Sequence, residues 1–310
     1  LRSLVGSEMC IRDRHQRIQP YIRRTPALAG IDLGLSLPVD VKLEHLQHTG
    51  SFKARGAFNT MLACDVPVAG LVAASGGNHG AAVAYAAQRL GHQAHIFVPE
   101  LAGASKIDLI KRSGAALSVV PGAYADAFGA AQAHEAETGA MQIHAYDAVP
   151  TVTGQGTVMY EWEEQGLEAD TVLIAVGGGG LIAGAMAWAQ GGRKIVAVEP
   201  ETCCALQAAT RAGTPVDVEV SGIAANALGA RRIGQICFDL VTEQTVETVT
   251  VPDSAIVAAQ TRLWQSLRQF VEPGGATALA ALISGSYTPA KGEKVAVLIC
   301  GANPAPDPFL

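Results

Sequence analysis

Short apolar runs of strand length alternate with longer stretches of helical spacing along most of the chain. Val39 to Leu43 alternates apolar and polar residues as a half-buried strand does, and Gly70 to Ala74, Val172 to Val176 and Val295 to Ile299 read as buried strands. Further strands are expected at His95 to Val98, Ala116 to Val120, Met141 to His144 and Ile195 to Val198. Helices are expected from about Phe52 to Cys64, from the turn at Gly80 to Arg89, and over Lys106 to Arg112, Ala125 to Glu137, Gly154 to Glu164 and Ala255 to Gln269. Strands separated by helices pair in parallel through right-handed crossovers, so the predicted class is α/β. Gly70 to Asp147 reads as a small domain (70–147) inserted into a larger one built from 1–69 and 148–310. From Val216 to Leu228 the pattern weakens into loop and short turns.

Leu1 to Arg14 has no amphipathic period, and Ser3 to Arg14 resembles translated sequencing-adapter read-through. That stretch is kept out of the fold expectations, and Cys10 with it.

Composition narrows the function classes. A chain of 310 residues has room for two domains, and 49% hydrophobic with 16% charged residues and 34 glycines fits a compact α/β protein with close backbone approaches. A net charge of -6 and 5% aromatic residues argue against a nucleic-acid binder, leaving few stacking platforms for bases. The apolar runs are too short and too glycine-rich to span a membrane. None of the six cysteines forms a C-x-x-C pair, and the adjacent Cys203 and Cys204 suit a disulfide poorly, so a reducing, cytoplasmic location is expected.

Lys53 follows a glycine-containing turn in which Thr49 and Ser51 can cap the coming helix and Phe52 offers an apolar plane beside the amine. Alone it is an ordinary surface lysine; beside anion-holding turns it suits a Schiff base. Gly177, Gly178, Gly179 and Gly180 lie between a buried strand and a helix, where several backbone N–H groups and the helix dipole can hold an anion. The plain alternative is a tight turn. The Walker A lysine and the Rossmann spacing are absent, so ATP and NAD are poor matches. Ser75-Gly76-Gly77-Asn78-His79-Gly80 opens another helix and suits a carboxylate, or is simply a capped turn with His79 supporting packing. Cys300 after the last strand reads first as a core cysteine, and Glu272 as a solvated acid at a helix start.

Taken together, Ser51-Phe52-Lys53-Ala54-Arg55-Gly56, Ser75 to Gly80, Gly177 to Leu181, Glu272-Pro273-Gly274-Gly275-Ala276 and Cys300 resemble, in order, the motifs of the serine/threonine dehydratase branch of fold type II pyridoxal-phosphate enzymes, the tryptophan synthase β-like fold. The resemblance covers His15 to Asn303. It implies a two-domain fold with parallel-rich twisted sheets flanked by helices, and pyridoxal 5'-phosphate as cofactor. It makes Lys53 the catalytic lysine. Phe52, Asn78, Gly177 to Gly180, Leu181, Gly222, Glu272 and Cys300 would border the cofactor, and Ser75, Gly76, Gly77, Asn78 and His79 the substrate. Serine racemases of the family carry a serine at the place of Gly76 as a second base, which glycine cannot supply. Glu199 matches one acidic ligand of a divalent-cation site found in some members, but the other falls at Ala205, so no metal is expected.

The implied function is β-elimination of water from a 3-hydroxy amino acid such as L-threonine or L-serine, giving a 2-oxo acid and ammonium. No regulatory domain follows Asn303, which points away from the feedback-controlled biosynthetic type. A homodimer is implied, with a small amino-acid substrate and neither nucleic acid nor membrane as partner. Two alternatives stay open: β-replacement or dehydration of an unusual substrate such as 3-hydroxyaspartate, and a cofactor-binding scaffold without activity.

Overall fold

The computed structural model describes residues 8–303 apart from 103 and 245. The chain enters through α1 (Glu8–Ile18), the antiparallel pair β1 (Ala27–Ile31) and β2 (Val39–Lys42), and α2 (Lys53–Ala63). It continues as β3 (Leu71–Ala74), α3 (Asn78–Leu90), β4 (Ala94–Pro99), α4 (Ala104–Lys111), β5 (Ala116–Val120), α5 (Tyr124–Thr138) and β6 (Met141–Gln142). Then follow α6 (Val149–Glu163), β7 (Thr171–Ala175), α7 (Gly180–Ala189), β8 (Lys194–Pro200), α8 (Ala205–Ala212), α9 (Ala225–Leu228) and α10 (Gln235–Gln244). The last elements are β9 (Glu247–Val251), α11 (Asp253–Leu267), α12 (Pro273–Ser284) and β10 (Val295–Leu298).

Two sheets result, as the α/β pattern predicts. One has six strands in the order β1-β2-β10-β7-β8-β9 and the other four in the order β5-β4-β3-β6; every pairing except β1 with β2 is parallel. Helices cover both faces of the central strands, so β7 and β10 are buried at every position and have no polar alternation. The main core packs α6, α7, α11 and α12 against the six-stranded sheet. A second core under the four-stranded sheet joins Ala81, Val83 and Ile96 to Ala54, Ala57, Phe58 and Met61 of α2.

The sequence expectations fail where side-chain spacing is silent about tertiary packing. α6 begins at Val149, ahead of the glycines expected to open it. Those glycines sit inside the helix because its neighbours touch its backbone: a Cβ on Gly154 would lie 2.8 Å from Gly56 Cα, and one on Gly156 would lie 2.7 Å from the Gly184 carbonyl oxygen. Close helix crossing outweighs the cost of about 1 kcal/mol for a helical glycine. The strand expected to reach His144 stops at Gln142, since the His144 ring turns the chain by accepting the Asp147 and Tyr146 amides at 2.8 and 3.3 Å. Part of the excluded opening stretch also belongs to the fold, with Ile11 in α1 fully buried in the main core. β1, β9, α8 and α10 were not expected from the pattern.

Under α2 lies a buried ionic cluster. Lys42 Nζ reaches Glu161 Oε1 at 2.7 Å, and Arg55 reaches Glu44 at 2.6 Å and Glu161 at 3.0 Å, with all four side chains at most 1% exposed. Burial alone would raise the Glu161 carboxyl, but Arg55 and Lys42 outweigh it and hold it below the usual range. The cluster ties β2, α2 and α6 together beneath the segment that presents Lys53. Among the described residues no helix is long and apolar enough to cross a membrane.

Candidate active site

Parallel strands deliver their loops to one edge, the carboxyl ends, where ligands of open α/β sheets bind. Here β3 delivers Ser75 to Asn78, β7 delivers Gly177 to Gly180, and β10 delivers Cys300, while β2 leads into the lysine turn. That turn is fastened to the segment directly after β10 by main-chain bonds: Phe52 N donates to Cys300 O at 3.2 Å and Ala302 N to Gly50 O at 2.8 Å. The expected capping by Thr49 and Ser51 is not made. Among the described residues neither hydroxyl has a hydrogen-bond partner, and Thr49 holds a left-handed φ of 60° to complete the turn. β-branched residues rarely take that conformation, and the bonds to the segment after β10 are what hold the turn in place.

Lys53 starts α2 half-buried, its Nζ 2.7 Å from the Ala145 carbonyl oxygen and 5.0 Å from the Phe52 ring centroid. Burial pushes its amine down to about 8. Cys300 is buried, 3.5 Å from the Gly274 carbonyl oxygen, and burial with the nearby Glu272 carboxylate pushes its thiol up to about 12. It is therefore a neutral, weakly donating group.

Glu272, at the start of α12, is buried and accepts the Asn78 side-chain amide at 2.6 Å. On its other side Asn78 Oδ1 accepts from Asn303 Nδ2 at 2.8 Å, and Asn303 Nδ2 also donates to Thr49 O at 2.6 Å. Gly301 leaves the room for this chain of contacts, since a Cβ there would lie 2.0 Å from Glu272 Oε1.

The glycine loop is packed as tightly. Gly179 caps α7 at φ 91°, a Cβ on Gly178 would lie 2.3 Å from the Tyr146 ring, and one on Gly177 would lie 2.9 Å from Leu228 Cα. The Tyr146 turn is itself pinned, as Asp147 accepts the Gln235 and Ile236 amides at the start of α10, both at 3.0 Å. This turn therefore spans the space between the Lys53 amine and the glycine loop. Leu181 is buried in the first turn of α7.

In the loop after β3, Gly77 N donates to Ser75 Oγ at 3.2 Å. A Cβ on Gly76 would lie 2.2 Å from the Ala102 Cβ, so that side of the loop is filled. His79 is buried with Nε2 2.8 Å from the Ile143 carbonyl oxygen, and burial, with Lys53 adding to it, keeps the imidazole neutral at about 3. It braces the loop against the end of β6. A Cβ on Gly222 would lie 2.2 Å from Thr202 Oγ1 and 2.8 Å from Asp253 Oδ2, and the loop that follows meets the glycine turn through Leu228. Glu199 caps α8 by accepting the Leu206 and Gln207 amides at 2.8 Å each, and among the described residues no cluster of three metal-binding side chains is formed.

Residues that the sequence reading left without a role are Ala145, Tyr146, Asp147 and Asn303. Tyr146, Asp147 and Asn303 could be flagged only as polar or aromatic residues in the turns after β6 and β10, and Ala145, which acts through its main-chain carbonyl, carries no residue-type signal.

Residues 18–301 match the pyridoxal-phosphate dependent enzyme family. The phenylserine dehydratase of Ralstonia pickettii is 34% identical over 294 residues, covering 93% of this chain and 90% of its own. A serine racemase of Oryza sativa subsp. indica is 33% identical over 304 residues, covering 94% of this chain and 89% of its own. The crystal structure of a T.th. threonine deaminase superposes with a TM-score of 0.90 at 33% identity, covering 98% of this chain and 100% of that one. With the family matched over nearly its whole length, the chain belongs to the fold type II pyridoxal-phosphate dependent enzymes, and its cofactor is pyridoxal 5'-phosphate.

Proposed function

We propose that the protein eliminates water from a 3-hydroxy amino acid of the L-threonine or L-serine class, giving a 2-oxo acid and ammonium. The relatives include both dehydratases and racemases, so the family alone does not choose. The observation that carries the choice is Gly76. It offers no proton-transfer group opposite Lys53, and Ala102 fills the space where one would stand.

The residues present fit the cofactor. An amine lowered to about 8 suits capture of an aldehyde, the glycine loop at the α7 N-terminus suits a phosphate, and a neutral thiol at Cys300 suits an uncharged ring nitrogen. Lys53 would hold the aldehyde, Phe52, Gly222 and Asn78 would border the ring, Gly177 to Leu181 the phosphate, and Cys300 and Glu272 the nitrogen side and its neighbourhood. When bound, pyridoxal phosphate supplies an electron sink for the electrons left on the substrate Cα.

The Ser75 loop offers the Gly76 and Asn78 backbone N–H groups at the start of α3 to the substrate carboxylate, the Ser75 N–H being taken by Phe97 O at 2.9 Å and the Gly77 N–H by Ser75 Oγ, with His79 bracing the loop. The freed Lys53 amine takes the α-proton, the β-hydroxyl leaves as water after gaining a proton, and the released 2-amino-2-alkenoic acid tautomerises to an imine that water hydrolyses to the 2-oxo acid and ammonium. A weak donor at Cys300 favours prompt loss of the β-group over return of a proton to Cα. The four-stranded sheet and its helices, 70–147, act as the part that closes over the substrate, because they carry the Ser75 loop while the glycine loop and Cys300 follow strands of the six-stranded sheet. Chiral analysis of the product from L-serine tests this reading. Pyruvate without D-serine is expected; D-serine forming as fast as pyruvate would overturn it.

A further inference from the structure

Asn303 ends the described chain after β10, and three acceptors and donors meet through it and Asn78. Thr49 O is a backbone carbonyl and can only accept, so Asn303 must turn its NH2 toward it at 2.6 Å. The same NH2 faces Asn78 at 2.8 Å, and two facing NH2 groups would leave no acceptor between them, so Asn78 must present Oδ1 there. Its own NH2 then lies on the other side, where Glu272 Oε1 takes one hydrogen at 2.6 Å. Both hydrogens of Asn303 Nδ2 are spent and one of the two on Asn78 Nδ2 remains. The orientation of a side chain at the cofactor is thus dictated by a main-chain carbonyl of the lysine turn.

The surroundings are shaped for this arrangement. A Cβ on Gly50 would lie 2.6 Å from Asn303 Oδ1, and Gly50 takes a φ of 73° that favours glycine. The bond from Ala302 N to Gly50 O fixes the main chain beside Asn303 independently of its side chain, so removing the amide leaves the strand end anchored.

We infer that Asn303 is a positioning residue that fixes the Asn78 amide in one orientation and leaves its last N–H for the oxygen on the cofactor ring. This rests on the proposed function only for its kinetic arm. Second-layer hydrogen bonds of this kind hold a working group within the narrow tolerance a reaction needs.

The test uses Asn303→Asp and Asn303→Ala. Aspartate has the same shape but cannot donate, so it faces Thr49 O and Asn78 Oδ1 with acceptors and drives the Asn78 amide to turn over. Three quantities are read: the thermal midpoint of the cofactor-free protein, the absorbance spectrum and affinity of bound pyridoxal phosphate, and kcat and KM for elimination. The aspartate variant is expected to change the cofactor spectrum, to bind pyridoxal phosphate more weakly, and to lose about tenfold in kcat, the worth of one hydrogen bond, while KM moves less. Alanine should produce a smaller change in the same direction, and it carries the test if the aspartate variant fails to fold. A wild-type cofactor spectrum in the folded variants, with or without a lower thermal midpoint, would overturn the inference and leave Asn303 a purely structural tie. If the unaltered protein bound the cofactor but released no 2-oxo acid, the proposed function would fall while the spectral comparison still decided the role of Asn303.

Discussion

Lys53 Nζ and the Ala145 carbonyl oxygen lie 2.7 Å apart, which joins the amine at the head of α2 to the turn that ends the four-stranded sheet. The amine is thus oriented from outside its own helix, and the same turn lays Tyr146 against Gly178. Movement of the four-stranded sheet would reach both the lysine and the phosphate-sized loop.

Lys53 should titrate far below an ordinary lysine. Its amine loses a proton near pH 8 in the folded protein, against 10.5 normally. Uptake of pyridoxal phosphate by cofactor-free protein, followed by absorbance, should accelerate as pH rises through 8 and level off above it. Between about 8 and 10.5 the unfolded chain holds a proton that the folded one has lost, so stability should rise with pH there, and Lys53→Met should remove that slope.

Gly76→Ser should not install a second base without cost. The new Cβ meets Ala102 Cβ at 2.2 Å, and overpacking of this kind costs about 1–3 kcal/mol. Thermal melts should show the loss in the single variant and its partial recovery when Ala102→Gly is added.

Glu161→Ala should destabilise the protein by about 3–5 kcal/mol, since Lys42 and Arg55 are left charged and buried. The native carboxyl is held below 4.5, so its stabilisation is present above that pH and is lost as pH falls through the lowered value. Denaturant melts of Glu161→Gln from pH 6 downward should show a shallower acid loss than the unaltered protein.

Gly184→Ala tests the helix crossing. The added Cβ would lie 2.4 Å from Gly156 N, a backbone atom that cannot swing aside. α6 and α7 must separate, and a loss of about 1–3 kcal/mol is expected by calorimetry, in contrast to the same change at the open Gly129.

Much of this was legible in the residues. Val172 to Val176 and Val295 to Ile299 are apolar without a break because both sheet faces are covered; β10 falls within the second run, and β7 starts one residue ahead of the first, at Thr171. The turns after them carry Gly177 to Gly180 and Cys300, and the structure brings Cys300 and Lys53 together. What stayed hidden depends on partners distant in sequence. Gly154 and Gly156 look like a helix start until Gly56 and Gly184 are seen against them. Thr49 and Ser51 look like caps until the segment after β10 takes over the turn. Asn303 gives no local sign that Thr49 and Asn78 wait for it, being more than two hundred residues from either.

The central claim is elimination driven by the Lys53 amine. Pyridoxal-phosphate-loaded protein should be mixed with L-threonine and with L-serine, and 2-oxo acid and ammonium measured together, beside Lys53→Ala loaded in the same way. Equal amounts of 2-oxo acid and ammonium from the unaltered protein, and none from the variant, are the predicted result. Amino-acid binding seen in the cofactor spectrum without release of 2-oxo acid, or release that persists in Lys53→Ala, would contradict the account.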